Sequence, residues 1–314
     1  MSDQASVLYD APGPIARRRV SVASIGMALL VLIGAYFFVY RPLKARGQLS
    51  MEKWGPLIDP GNPFFSQVWD RIFTGFMATL QAAVLAIISS LVFGTLLALL
   101  RLQLRSLKKR RWRGLPKPVA LLVRGLNATL DVITRACIEV FRGLPVLVTI
   151  FFAWRLSGIS NPLWPLVIGL TIYNGVVIAE IIRSGMDGLP PGQREAADSI
   201  GLMPGQAVRL VQLPQAFRVM LPALISQLVV ILKDTSLGFI ITYEDTLAIA
   251  QQIIQFLHNP IQLYVVIGLI FITINYGLSR LATYAQRRMS AKSGLQKVEA
   301  PAATAAETGN IPAP

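Results

Sequence analysis

The sequence predicts an all-α, polytopic membrane protein with about six transmembrane helices. Of its 314 residues 54% are hydrophobic and only 15% are charged, whereas soluble domains carry about 25% charged residues. Long apolar runs recur along the chain, and a helix that crosses the hydrocarbon needs roughly 20 apolar residues. The candidate spans are residues 20–40, 75–100, 127–154, 162–182, 219–241 and 261–284.

The distribution of basic residues predicts the orientation of these spans. If the N-terminus is cytosolic and six spans alternate, the cytosolic segments hold 21 of the 30 Lys and Arg residues and the outer segments hold 6. The positive-inside rule expects this asymmetry, so we predict that both termini are cytosolic. The net charge of +14 therefore reflects topology. Nucleic-acid binding by the basic stretch 101–118 is conceivable, but anionic lipid headgroups are the better partner.

The chain is expected to begin and end in tails that hold too little apolar surface to fold alone. Three arginines precede the first span, as in a signal sequence. That span is too long for a typical signal and lacks a small-residue cleavage site, so we expect a retained anchor. The expected order is a disordered cytosolic tail (1–19), an N-terminal transmembrane helix (20–41), an outer loop (42–73) with interfacial tryptophans, a transmembrane domain (74–285) and a second disordered cytosolic tail (286–314).

The third span carries four charged residues, Asp131, Arg135, Glu139 and Arg142, at i, i+4, i+8 and i+11 along one helix face. Neighbours at these spacings can pair. Charges at membrane depth face protein or water because lipid cannot solvate them. This face is therefore either a structural ladder between helices or one wall of a polar pathway.

Gly143 and Pro145 interrupt the helix directly after Arg142. Broken helices at membrane depth often line binding sites in transporters, which favours a pathway role for these three residues. The alternative for Arg142 is to brace the break at Pro145.

A second polar cluster, Lys233, Asp234, Thr235 and Ser236, lies within the span 219–241. Adjacent residues do not share a helix face, so Lys233 and Asp234 cannot both point into one narrow groove. The cluster is either part of the pathway or a set of structural pairs between helices.

The single cysteine and the single histidine show no metal-ligand spacing. We expect Cys137 to pack within its span and His258 to lie in a hydrated outer loop. We therefore predict no metal site and no catalytic residue in this chain.

The polar stretch GQREAADSIGLMPGQAVRLVQLP (192–214) predicts a short helix–turn–helix on the cytosolic side. Pro191 suits the start of the first helix over 193–199, and Gly201 can adopt a positive φ and close it. Pro204 begins the second helix and Pro214 is expected to end it. The exposed Glu195 makes the unit suitable for insertion into a groove on another protein.

The spacing within this stretch is specific: EAA, three residues, Gly, nine residues, an aliphatic residue, one residue and Leu-Pro. It resembles the EAA loop of ABC importer permeases, with Val where Ile is common. The matching positions are Glu195, Ala196, Ala197, Gly201, Val211, Leu213 and Pro214.

Other motifs extend the resemblance over about residues 74–285, to the polar amino acid subfamily of ABC permeases. Phe141–Pro145 resembles F-R-G-T-P with Leu144 in place of Thr, Ala179–Arg183 matches A-E-I-x-R, and Lys233–Leu237 matches K-D-T-S-L. A common Ala-Tyr is replaced by Val176 and Val177. The extra N-terminal span looks most like actinobacterial glutamate uptake permeases.

The resemblance implies a five-helix permease core behind one extra N-terminal helix, in the plasma membrane of a bacterium. It implies a pathway between two permease subunits, the second being a homologue or the same chain. It further implies an ABC ATPase dimer and an extracytoplasmic binding protein that delivers a polar amino acid: glutamate, or else glutamine or aspartate. No G-x-x-x-x-G-K-[ST] occurs, so ATP and Mg belong to the ATPase and this chain is not an enzyme.

Within this scheme, the loop 185–217 couples the permease to the ATPase. Glu195 would act by contact and Gly201 by turn geometry, while Arg142 would bind a substrate carboxylate. Glu180 and Arg183, at i and i+3, would brace the base of the loop, or form a plain helix-end ion pair.

Two other classes of protein are less consistent with the sequence. A secondary transporter driven by an ion gradient would need more spans or an internal inverted repeat. A membrane scaffold or sensor would not require charges within the spans.

Overall fold

The computed structural model describes residues 13–109 and 116–291, and every regular element within these ranges is helical. The predicted all-α class is therefore confirmed for the described chain. The helices are α1 (Pro14–Ala35), α2 (Arg41–Ala45), α3 (Met51–Ile58), α4 (Phe65–Lys109), α5 (Lys117–Gly143), α6 (Val146–Ser157), α7 (Leu163–Asp187), α8 (Pro191–Ser199), α9 (Pro204–Gln206), α10 (Leu213–Asp234), α11 (Thr246–Leu257) and α12 (Pro260–Ala291). Most of the two predicted tails lies outside the described residues. Of the described parts, residues 14–19 belong to α1 and residues 286–291 belong to α12.

The number of apolar helices agrees with the sequence prediction. Five helical segments are long and apolar enough to cross a membrane, and a sixth span results if the bent pair α5–α6 is counted as one. The predicted span 127–154 differs from the structure in where it begins and in its shape. Its helix begins ten residues earlier, at Lys117, and α5 and α6 are bent by 110° relative to each other.

The described residues belong to two compact units. The first consists of residues up to Thr74 and of Ile249–Gly268, and the second of Gly75–Ala248 and of the chain from Leu269 onward. The hydrophobic core of the second unit is built around α7, which buries Leu166, Leu170 and Ile178 completely. A helix that is apolar on all sides is expected to be buried in this way.

In the first unit, the predicted outer loop 42–73 contains short helical stretches. The short helix α3 buries Gly55, Pro56 and Leu57, and this burial offsets the weak helix propensity of Gly55 and Pro56. The two tryptophans of this segment are held by their indole N–H groups. Trp54 donates to the backbone oxygen of Gln48 and Trp69 to that of Leu57, each at 3.1 Å.

Two outcomes concern residues for which no chemistry was expected. Cys137 is exposed on α5, so the prediction that it packs inside the protein is wrong for this chain. His258 is exposed between α11 and α12, with a φ of 53°. Its carbonyl oxygen accepts a hydrogen bond from Lys53 Nζ at 2.7 Å.

Candidate coupling loop and polar groove

The turn at Gly201 has the conformation expected from the sequence. Gly201 has a φ of 78°. Its N–H donates to the carbonyl of Asp198 at 3.1 Å, and the N–H of Leu202 donates to the carbonyl of Ala197 at 3.1 Å. These two bonds form a Schellman motif, which satisfies the last carbonyls of α8. The turn therefore fixes the direction in which the chain leaves α8.

The loop has two helical arms: the first is α8, and the second comprises α9 and the segment Ala207–Gln212. The end of the second arm differs from the prediction that Pro214 terminates the helix. The chain continues from α9 through a π-helical segment, Ala207–Gln212, directly into α10, so Pro214 does not end the helix. Proline removes a backbone donor, and the wider π turn before it changes the hydrogen-bond register of the helix. The second arm and α10 therefore form one continuous helical rod.

Small residues pack the two arms of the loop together. Ala197 is 2% exposed and Ala207 is also buried, and α8 contacts the segment 207–212. Gln215 Nε2 donates to Gln193 Oε1 at 2.9 Å across the arms. Of the predicted coupling residues, Glu195, Ala196, Gly201 and Pro214 are exposed and Leu213 is partly buried, whereas Ala197 is inaccessible to another protein.

Three large apolar side chains project from the same loop, and none of them was predicted to be an exposed contact residue. Ile200 is 75% exposed, Met203 70% and Leu210 62%. Ile200 directly precedes Gly201, and Met203 follows it after the partly buried Leu202. Their position beside the turn was the available signal.

An ion-pair network lies at the end of α7, directly before the loop. The expected pair of Glu180 and Arg183 is present, with Arg183 Nε 2.9 Å from both carboxylate oxygens. Arg101 Nη1 is 3.2 Å from Glu180 Oε2. Asp187 Oδ2 is 2.5 Å from Arg183 Nη1 and 3.5 Å from Arg105 Nη1. The sequence indicated the local pair but not the partners on α4.

The charged face of α5 forms two local pairs. Arg135 Nη2 lies 2.5 Å from Asp131 Oδ2, with the aspartate buried, and Arg142 Nη2 lies 3.2 Å from Glu139 Oε2. The helix ends at Gly143 and α6 begins after Pro145, so the predicted break is confirmed. Arg142 is thereby placed at the very end of α5.

Arg142, Glu180 and Arg183 line one open groove of about 430 Å³. Its remaining walls are largely apolar and come from α7 and α10: Val177, Ile181, Ser184, Gly185, Val219, Met220 and Ala223. Guanidinium groups bind carboxylates through paired hydrogen bonds. The groove therefore offers cationic and anionic groups on an otherwise apolar surface.

The cluster of Lys233 to Ser236 does not line this groove. It lies where α10 ends and a 3₁₀-helix, Thr235–Ile241, begins. Thr235 is buried and its hydroxyl donates to the carbonyl of Leu232 at 2.7 Å, while Lys233 is exposed. Among the described residues, the groove lining thus includes Arg142 but none of these four.

Asp245 is a buried carboxylate that the sequence analysis missed. Its Oδ1 accepts the N–H of Ala248 at 2.8 Å, which caps the start of α11. Its Oδ2 is buried without a hydrogen-bond partner, and burial raises the pKa of this carboxyl to about 7. Next to it, the hydroxyls of Thr79 and Thr246 are 2.7 Å apart. An aspartate before an apolar helix was the signal for this cap.

Comparison with known proteins identifies the family. Residues 118–291, more than half of the chain, match the family of binding-protein-dependent transport system inner membrane components. The chain belongs to this family. It is therefore a multi-pass membrane permease of bacteria. The prediction of an ABC importer permease is confirmed and is favoured over the alternative driven by an ion gradient.

Individual relatives of this permease agree. It is 36% identical over 257 residues to the glutamate transport system permease protein GluD of Corynebacterium glutamicum, covering 79% of this chain and 84% of that protein. It is 26% identical over 229 residues to the glutamate/aspartate import permease protein GltK of Escherichia coli O6:H1, covering 69% and 92%. A crystal structure of an amino acid ABC transporter with histidines matches it with a TM-score of 0.59 and 25% identity, over 71% of this chain and 96% of that chain.

Membership of the permease family also bears on partners and cofactors. The family implies an ATPase and a binding protein as partners, and its permease subunits are not catalytic. Within the described parts of the permease, no three His, Cys, Asp or Glu side chains cluster in a way that could hold a metal ion.

Proposed function

We propose that this chain is one of two permease subunits of an ATP-driven importer for glutamate, with aspartate and glutamine as the next best substrates. The similarity to a glutamate transport permease over most of both chains carries this proposal. The partners are an ABC ATPase dimer that binds ATP and Mg, a second permease subunit and an extracytoplasmic binding protein. Both termini and the loop 185–217 are cytosolic.

The groove beside Arg142 is the proposed pathway surface. Glutamate carries two carboxylates and one ammonium group, and the groove combines Arg142 and Arg183 with Glu180. Arg142 binds a substrate carboxylate in place of the carboxylate of Glu139. The ion pair of Arg142 and Glu139 is exposed to solvent and therefore contributes little free energy, so it is readily broken. The break at Gly143 and Pro145 holds Arg142 at the rim. The cluster of Lys233 to Ser236 does not line this groove and stays a candidate for a separate part of the pathway, with structural pairing between helices as the alternative.

Three exposed apolar side chains of the loop, Ile200, Met203 and Leu210, are the proposed contact with the ATPase. Exposed apolar patches commonly mark an interaction site. Glu195 and Ala196 lie on the same loop and are accessible, while Ala197 supports the contact from inside by packing the two arms.

Uptake by the assembled transporter tests the substrate. With the binding protein present, vesicles should accumulate labelled glutamate only when ATP is supplied, and unlabelled glutamate should compete at a lower concentration than aspartate, glutamine or arginine. Stronger competition by arginine would contradict the substrate assignment. Uptake that needs an ion gradient and no ATP would contradict the proposed mechanism.

A charge placed at Met203 tests the ATPase contact. We expect Met203→Asp to lower co-purification of the ATPase by at least about tenfold, because burying an unpaired carboxylate in an interface costs several kcal/mol. Gln206→Glu is the matched control: it adds the same charge to the loop and keeps the acceptor that Met203 N–H uses at 2.9 Å. Equal ATPase recovery with both variants would contradict a docking role for Met203.

A further inference from the structure

Helices α4 and α7 are parallel and contact each other along a common line of residues, here called the seam. The hydroxyls of Ser89 and Thr171 are 2.6 Å apart. About one turn further on, the backbones touch, because a Cβ added to Gly94 would lie 2.6 Å from the carbonyl oxygen of Gly175. Small residues permit this close approach between helices in membranes. The two helices therefore have little freedom to separate along this stretch.

The ion-pair network closes the seam at its other end. Arg101, whose side chain is 12% exposed, donates to Glu180, which also accepts both bonds from Arg183. Asp187 joins Arg183 to Arg105. The two arginines of α4 thus pair with the two carboxylates of α7, and Arg183 lies between these carboxylates. Removing one partner from a half-buried network leaves a charge uncompensated, so such a network resists rearrangement.

The position of the network connects it to the loop. Asp187 is the last residue of α7, and only Gly188, Leu189 and Pro190 separate it from α8. A displacement of α8 enters the membrane helices at this point. One residue of sliding between α4 and α7 shifts them by about 1.5 Å, which would lengthen the 3.2 Å contact between Arg101 and Glu180.

We infer that Arg101 is a positioning residue that locks α4 to α7, so that a displacement of the coupling loop moves both helices as one lever. The inference rests on the proposed coupling role of loop 185–217. It adds α4 to the moving part, although α4 has no direct connection along the chain to that loop. Rigid-body motion of packed helices is a common mode of switching.

A reversible cross-link tests the lever without disturbing the network. In a chain with Cys137→Ala, Ser89→Cys and Thr171→Cys place two thiols where two hydroxyls already touch. If α4 and α7 move together, the assembled transporter with this disulfide should keep its ATP-driven uptake within about twofold of the reduced form. Loss of uptake on oxidation and recovery on reduction would overturn the inference, because it would show that the helices slide.

Arg101→Gln provides the second test. We expect uptake per ATP hydrolysed to fall about tenfold, while the protein stays in the membrane with its ATPase. Oxidising the Ser89→Cys, Thr171→Cys pair in that variant should restore most of the ratio, which a general loss of stability would not permit. Arg101→Lys keeps the charge but loses the planar fork, so a smaller loss is expected and the variant serves if Arg101→Gln fails to fold.

Arg124→Gln is the control for the loss of a positive charge. It removes an exposed charge of α5 and should leave uptake per ATP hydrolysed unchanged. If Arg101→Gln left uptake per ATP hydrolysed unchanged, or if the disulfide failed to restore it, the inference that Arg101 makes α4 and α7 move together would be overturned. Failure of the unmodified chain to bind an ATPase at all would instead count against the proposed function.

Discussion

Replacing Gly201 with valine is expected to lower uptake at least about tenfold while leaving the permease in the membrane with its partner subunits. Gly201 has a φ of 78°, and an added Cβ would meet nothing within 4 Å. The penalty therefore comes from the backbone alone. A left-handed conformation costs an ordinary L-residue roughly 1–2 kcal/mol, and a β-branched residue fits it worst. The Schellman bonds should open and α8 should point in a new direction.

The measurement combines three readings on the assembled complex: ATP-driven uptake, ATP hydrolysis and co-purification of the ATPase. We expect Gly201→Val to lower uptake per ATP by at least about tenfold, since 1.4 kcal/mol corresponds to a factor of ten. Hydrolysis should continue, uncoupled from transport, because the chain binds no nucleotide of its own in the proposed scheme.

Two controls isolate the backbone effect. Gly205→Val adds the same side chain at a glycine with equally open surroundings but without a positive φ, so uptake should stay close to normal. Gly201→Asn should retain much of the activity, because asparagine tolerates the left-handed region. Normal transport by Gly201→Val would refute the role of the turn in coupling.

The features that the sequence predicted well are local or compositional. The apolar runs led to the number of spans, because this number follows directly from the cost of placing polar groups in lipid. The positive φ of Gly201 followed from a glycine directly after a short helix. The break between Gly143 and Pro145 followed from the geometry of proline.

The features that it missed depend on neighbours distant in the chain. Arg101 and Glu180 are 79 residues apart in sequence, so their pairing could not be read from spacing within one helix. The burial of Ala197 likewise depends on how the second arm folds back on the first. Pro214 was misjudged because a π-helical segment, which has no simple sequence signature, precedes it.

The seam between α4 and α7 leads to a prediction about stability. Alanine at Gly94 is expected to destabilise the permease, because its Cβ would lie 2.6 Å from the Gly175 carbonyl oxygen and 2.7 Å from Ile178 Cγ2. A backbone oxygen cannot swing aside as a flexible side chain can, so the helices must separate. Overpacking of this kind typically costs about 1–3 kcal/mol, so the Tm should fall by a few degrees.

Thermal unfolding of the purified permease in detergent measures this effect, with Gly125→Ala as the matched control. Gly125 also lies in a long helix, but an added Cβ would meet nothing within 4 Å. Alanine there should raise the Tm slightly, because alanine favours helices over glycine by roughly 0.5–1 kcal/mol. The two substitutions are chemically identical and should have opposite signs. If Gly94→Ala raised the Tm as Gly125→Ala is expected to, α4 and α7 would not be in contact at that level, and the rigid seam that connects the coupling loop to α4 would lose its support.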